Sequence, residues 1–201
     1  MSEAEKILEG TSDLFMRCGI KSSTMDDVAR HLGISKKTLY QVVSNKEELL
    51  VMCMKHTFKN ISQRLETLSR KAQDAIDELF LIDNFIVETR RKQAPNLTFE
   101  VQKYYPNVSS MLVKLNHKHI ISMIMKNIER GKTEGLFLKS VNAGLIAEIY
   151  STRLESIVHD NFEFEGYTFE QLIKDNLVYH IRGISSLAGI VRLEEKLIEQ
   201  E

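Results

Sequence analysis

A chain of 201 residues, 43% hydrophobic and 27% charged, is long enough to bury roughly 70% of its unfolded surface and has the composition of a globular protein. Only 2 prolines and 9 glycines interrupt it, which argues against a sandwich or barrel with its many turns and for long helices. Twenty-seven Lys and Arg against 28 Asp and Glu give a net charge of -1, which excludes a globally basic coating protein but not a local basic patch. Two cysteines, Cys18 and Cys53, are too few for a disulfide framework or a four-thiolate zinc site. The opening Met-Ser-Glu-Ala-Glu-Lys carries acids where a signal peptide needs a basic region, and the longest fully apolar run, Leu49 to Met54, is far below the ~20 residues of a bilayer span. A soluble cytoplasmic protein with reduced thiols and no membrane partner is expected.

In chain order, Ile7, Leu8, Leu14 and Phe15 share one face of a first helix that Gly19 ends. Thr24, with Asp27 in the capping-box position, starts a short second helix that Gly33 stops. Ser35 caps a third, whose inward residues are Leu39 and Val42 or Val43. A long fourth helix begins near Lys46, with Glu47 and Glu48 favourably placed at its N-terminal dipole and apolar positions from Leu50 to Leu68 stepping by four and three. A helix over about 75–91 follows, then a break at Pro95, a short helix to Tyr105, and a long apolar helix from Pro106 to about Glu129. Gly131 and Gly135 mark a loop, helices over about 142–159 and 168–188 flank an aromatic connection from Phe162 to Tyr167, and the charged end from Glu194 frays. The fold class expected is all-α with about nine helices: residues 1–46 as a helix-turn-helix domain and 47–201 as a helical domain, joined through the fourth helix.

Gly33-Ile34-Ser35 is a three-residue turn containing Gly between two short helices, the geometry of a helix-turn-helix whose second helix enters the DNA major groove. From Arg30 to Lys46 there are four cations (Arg30, Lys36, Lys37 and Lys46) and no carboxylate, although residues 1–50 together carry seven cations and eight acids. With Leu39 and Val43 inward, Lys36, Lys37, Thr38, Tyr40 and Gln41 lie on the open side, where Lys and Gln suit base edges and hydroxyls suit phosphate oxygens. The bland alternative is a solvated helix face carrying two lysines.

The stretches Ile-Leu-x(5)-Leu-Phe-x(3)-Gly, Ser-Thr-x(3)-Val-Ala-x(2)-Leu-Gly-Ile-Ser-Lys-Lys-Thr-Leu-Tyr and Asn-Lys-Glu-Glu-Leu-Leu, over residues 7–50, resemble the N-terminal domain of TetR-family transcriptional regulators. Thr11 and Val43 depart from that pattern at inward positions, where the family often has a small residue and a Phe, and Lys37 stands where a small residue is common. The resemblance implies base contacts from Lys36, Lys37 and Gln41, and phosphate contacts from Thr24, Ser35, Thr38, Tyr40 and Lys46. It also implies a homodimer through C-terminal helices, for which the stripes holding Leu145, Ile149 and Ile157 and Leu177, Ile181 and Ile184 are suitable. The partners expected are double-stranded DNA, a second copy of the chain and a small-molecule effector, with no cofactor. An apolar effector pocket would draw on Phe80, Phe99, Tyr104, Met111, Met123 and Tyr150, residues that could equally fill a dry core. Asp83, on the face of Leu79 and Phe80, is a carboxylate in need of a partner or ligand.

Other signals carry less. Gly131-Lys132-Thr133 lacks the Gly five residues earlier that a phosphate-binding loop needs, position 126 being Lys126. His117 and His119 diverge by about 200° on a helix and cannot share a metal. Glu155 and His159, at i and i+4, are one pair, and no nucleophile–base or metal constellation points to an enzyme. The competing class is a helical ligand-binding or protein-interaction module with no DNA role.

Overall fold

The computed structural model describes residues 2–92, 97–159 and 166–199. Pro95 and most of the segment from Phe162 to Tyr167 lie outside that range, as does the side chain of His159. The described chain is all-α, in ten helices: α1 (Glu3–Cys18), α2 (Met25–Leu32), α3 (Lys36–Val42), α4 (Lys46–Lys71), α5 (Ala75–Lys92), α6 (Leu97–Tyr104), α7 (Pro106–Thr133), α8 (Ala143–His159), α9 (Phe169–Ile184) and α10 (Leu187–Ile198). They form two compact units.

The first unit comprises residues 1–64 and 92–113. The division therefore falls inside α4 rather than at residue 46, because α4 is one unbroken helix of 26 residues with neither Gly nor Pro. The core of this unit is Ile7, Leu8, Leu14 and Phe15 of α1, Val28 and Ala29 of α2, Leu39 of α3 and Leu49, Leu50 and Cys53 of α4. Val101 of α6 and Val108 of α7 complete it. Burial pushes the Cys53 thiol up to about 11, so it is an inert thiol that packs as a small hydrophobe. Cys18 is exposed, and both cysteines are free.

The second unit comprises residues 65–91 and 114–201. Its core joins Ile76, Leu79 and Phe80 of α5, Ile124 and Ile128 of α7, Tyr150 and Leu154 of α8, and Ile173, Leu177 and Ile181 of α9. Carboxylates that begin α5 are buried here but paired: Asp77 with Lys196 at 2.6 Å, Glu78 with Arg130 at 3.2 Å, and neighbouring Asp74 with Arg192 at 2.7 Å. Those two α10 cations hold residues 187–198 against the start of α5, so the charged C-terminal stretch is helical to Ile198 rather than frayed, and the expected helix over 168–188 is two helices.

Gly131 is also not in a loop. It lies in the last turn of α7, and a Cβ there would sit 2.1 Å from the Phe137 ring, so Gly lets an aromatic side chain lie on the helix backbone. The chain then turns at Gly135 (φ +75°) and forms an isolated antiparallel bridge between Phe137 and Ser185. In it the Leu138 N–H donates to the Ile184 carbonyl at 2.8 Å and the Ser186 N–H to the Leu136 carbonyl at 2.9 Å.

Candidate nucleic-acid interface

Local chemistry places the reading helix. Thr24 caps α2 through a reciprocal box: its hydroxyl accepts from the Asp27 N–H at 3.2 Å, and the Asp27 carboxylate accepts from the Thr24 N–H at 2.9 Å. At the other end Gly33 adopts the left-handed conformation (φ 66°, ψ 25°), the Gly33 N–H donating to the Arg30 carbonyl and the Ile34 N–H to that of Ala29. Ser35 follows as the cap of α3, its hydroxyl accepting from the Thr38 N–H at 3.0 Å. Two short helices around a left-handed Gly are thus a helix-turn-helix, and Leu39 and Val43, both essentially inaccessible, pin α3 to the unit's core.

That anchoring leaves Lys36, Lys37, Tyr40 and Gln41 exposed and Thr38 half-buried. Lys37 and Gln41, four apart, share one face and carry no ion pair among the described residues. Lys36 does: its ammonium lies against the Asp26 carboxylate across the turn, a pair exposed on both sides and worth little in stability. Arg30 pairs with Asp27 at 3.6 Å, also at the surface. Of the four cations on and beside α3, Lys36 and Arg30 already lie against a carboxylate.

The hydroxyls expected at phosphate are similarly engaged. The Thr24 hydroxyl donates to Asp27 at 2.6 Å, which, with the backbone bond, holds that carboxyl below its usual range. Ser35 and Thr38 share a hydrogen bond at 2.8 Å. Tyr40, 49% exposed, is the hydroxyl-bearing ring that stands open. Lys46 begins α4 half-buried, its Nζ donating to the Lys21 carbonyl at 3.5 Å, and burial pulls its ammonium down from the ordinary lysine value.

Sequence reasoning missed what fixes the turn before α2. The Glu100 carboxylate of α6 accepts from the backbone N–H of Ile20 at 2.6 Å and of Lys21 at 3.0 Å. Lys21 in turn donates to the Tyr104 hydroxyl at 3.2 Å and stands over its ring. The partners are about eighty residues apart, and no local pattern announces them.

The other expected sites separate. Phe99, Tyr104 and Met111 belong to the first unit, and Phe99 and Tyr104 are exposed there, so these three do not join a pocket in the second unit's core. Phe80, Asp83, Met123 and Tyr150 are in the second unit, all but the half-buried Met123 fully buried. Of the residues expected at a dimer interface, Leu177, Ile181 and Ile184 are core residues of their own chain and offer nothing to a partner. Leu145 and Ile149 are 58% and 46% exposed, and Ile157 packs half-buried against the core.

Residues 7–53 match the family model described as bacterial regulatory proteins, tetR family. The chain is similar to the uncharacterized HTH-type transcriptional regulator YhgD of Bacillus subtilis (strain 168), 26% identical over 133 residues, which is 64% of this chain and 69% of that one. Among solved structures it resembles a transcriptional regulator from Cytophaga hutchinsonii ATCC 33406, with a TM-score of 0.75 at 18% identity over 90% of this chain and 98% of that one. A TetR-family regulator from Agrobacterium tumefaciens gives a TM-score of 0.66 at 15% identity, over 91% and 97%. No helix among the described residues is long and apolar enough to cross a membrane.

Proposed function

We propose that this chain, whose residues 7–53 match the model of the tetR family of bacterial regulatory proteins, is a DNA-binding regulator of that family that acts as a homodimeric repressor on a pseudo-palindromic operator and leaves it when a small molecule binds the second unit. The observation that carries the reading is the α3 surface: a helix pinned by Leu39 and Val43, opening Lys37, Tyr40 and Gln41 outward behind the left-handed Gly33 turn. Lys37 and Gln41 would read base edges, with Lys36 joining once it leaves Asp26. Tyr40 and Lys46 would bind phosphate, while Thr24, Ser35 and Thr38 act mainly by holding the helix ends. Dimerisation would use the apolar side chains left open on the C-terminal helices: Leu145 and Ile149 one turn apart on α8, with Tyr179 of α9 at 70% exposure. The first unit would be the reading domain and the second the effector and dimer domain.

Coupling would run through α4, which is roughly 39 Å long at 1.5 Å per residue, begins at Lys46 beside α3 and ends in the second unit. In this reading α4 would carry a displacement at the effector site to α3. The effector needs only ~1–3 kcal/mol of preference for the non-binding arrangement to weaken operator affinity some 5–150-fold, and by linkage the operator must weaken effector binding equally.

The test separates readers from positioners. Lys37→Ala or Gln41→Ala should relax preference at one or two base positions, at about 1–3 kcal/mol per lost bidentate contact. Lys46→Ala should weaken all sequences alike and reduce the salt slope by roughly one. Identical behaviour of Lys37→Ala and Lys46→Ala on operator and scrambled DNA would refute this division.

A further inference from the structure

Among the buried polar atoms of the second unit without hydrogen-bond partners are both carboxylate oxygens of Asp83, both amide atoms of Asn176, and Nε2 of His180. Their residues are 6%, 5% and 5% exposed. Asp83 lies one turn beyond Leu79 and Phe80 on α5, on their inward face. Asn176 and His180 are one turn apart on the buried face of α9. The His180 ring meets that of Tyr150 on α8, centroids 4.4 Å apart and tilted by 51°, and the Tyr150 phenol senses the charge of Asp83. Tyr150 thus joins the buried polar face of α9 to α8, and its phenol lies within electrostatic reach of Asp83 on α5.

A folded core does not keep such atoms unpaired without cause, since each forfeits the hydrogen bonds it had in water. Their chemistry is one-sided. Burial holds His180 as a neutral imidazole, its pKa lowered to about 4 with the Arg153 charge adding to the effect. Ionised, Asp83 offers two acceptor oxygens, and no cation among the described residues pairs with it. With nothing opposite, burial pushes its carboxyl well above the usual carboxylate range. Asn176 adds one more acceptor and one donor group. The set is rich in acceptors and holds no cation of its own, although the Arg153 charge reaches both His180 and Tyr150, whose faces border it.

We infer that this cluster is the effector site and that it takes a small organic amine as the ammonium ion, with Asp83 as its counter-charge, Asn176 and His180 as orienting hydrogen-bond partners, and the Tyr150 ring beside the cation. The inference deepens the proposed effector response and rests on it only for the consequence at DNA. Ordered water would satisfy the amide and the imidazole but would supply no charge for Asp83.

The probe is benzylamine, with benzyl alcohol as its neutral counterpart, on the full-length protein. Benzylamine should raise the thermal midpoint and benzyl alcohol should not. Asp83→Asn, which keeps the shape and removes the charge, should weaken benzylamine by roughly thirtyfold or more. Ligand-free Asp83→Asn should melt at or above the parent near neutral pH, as expected of a residue kept for binding at a cost in stability. Asn176→Leu should weaken benzylamine without altering its advantage over the alcohol. Equal responses to amine and alcohol, or an Asp83→Asn protein that still prefers the amine, would overturn the site. Retention on operator DNA, measured in parallel, keeps the two readings apart. Amine binding through Asp83 that leaves operator affinity unchanged would uphold the site and refute its role in release. Operator binding with no amine preference would refute the site and leave the DNA-binding reading standing.

Discussion

Raising salt from 50 to 200 mM should weaken operator binding by about 10³-fold, at the shallow end of the 10³–10⁵ range for six to ten phosphate contacts. Arg30, Lys36, Lys37 and Lys46 are four cations on and beside α3, and the proposed dimer would present two such sets. Each cation that replaces a condensed counterion on the phosphates adds to the slope. The shallow end is expected because Lys36 lies on Asp26 and Arg30 on Asp27, so part of their charge is balanced before DNA arrives. Replacing Asp26 with Asn should tighten binding to all sequences, since it frees Lys36 without changing its position on α3. Equilibrium titrations across a salt series measure both effects. A loss below about tenfold would mean that phosphates are not the main contact, and would favour the interaction-module alternative.

Gly189→Ala should cost about 3 kcal/mol or more, because the added methyl has no route of escape. A Cβ at Gly189 would stand 2.0 Å from the Leu136 carbonyl oxygen, and that oxygen is held by the Ser186 N–H at 2.9 Å. The obstacle is the Leu136 backbone together with the Ser185 Cβ, whereas at Gly131 it is the side-chain ring of Phe137. For a chain of this size the loss corresponds to a drop of roughly 6–12 °C in thermal midpoint. Gly183→Ala in α9, where a Cβ meets nothing within 4 Å, is the matched control and should gain about 0.5–1 kcal/mol. Similar melting of the two variants would contradict the packing of α10 beneath the Leu136 turn.

What was legible in the sequence was local. Gly33, the Thr24 box and the Ser35 cap all act within four residues of themselves, so the helix-turn-helix and the outward set on α3 could be read from spacing. The unbroken α4 was legible for the same reason. The break between α9 and α10 was not. Ile184-Ser185-Ser186 contains neither Gly nor Pro, and what stops α9 there is the bridge to Phe137, nearly fifty residues earlier. Gly131 resembled a loop signal because a glycine that admits a neighbouring ring and one that turns the chain look alike in a sequence.

Apolar stripes posed the same ambiguity on a larger scale. Periodicity shows that Ile149 and Ile181 each lie on an apolar face, but only tertiary packing shows that Ile181 faces its own core and Ile149 faces out. Asp83 could be singled out because a lone carboxylate beside Leu79 and Phe80 needs an explanation. Asn176 and His180 could not, since an amide and an imidazole on a stripe read as ordinary polar interruptions until α9 is seen to bury them.

The most direct test of the central claim, two-fold reading of DNA by paired α3 helices, is affinity for a selected operator before and after insertion of about half a helical turn, roughly five base pairs, between its half-sites. The insertion turns the half-sites to opposite faces of the duplex. Affinity should fall to that of a single half-site, with the same loss whichever strand carries the label. Binding that survived the insertion at full strength would contradict a symmetric dimer and leave two independent protomers, each reading alone.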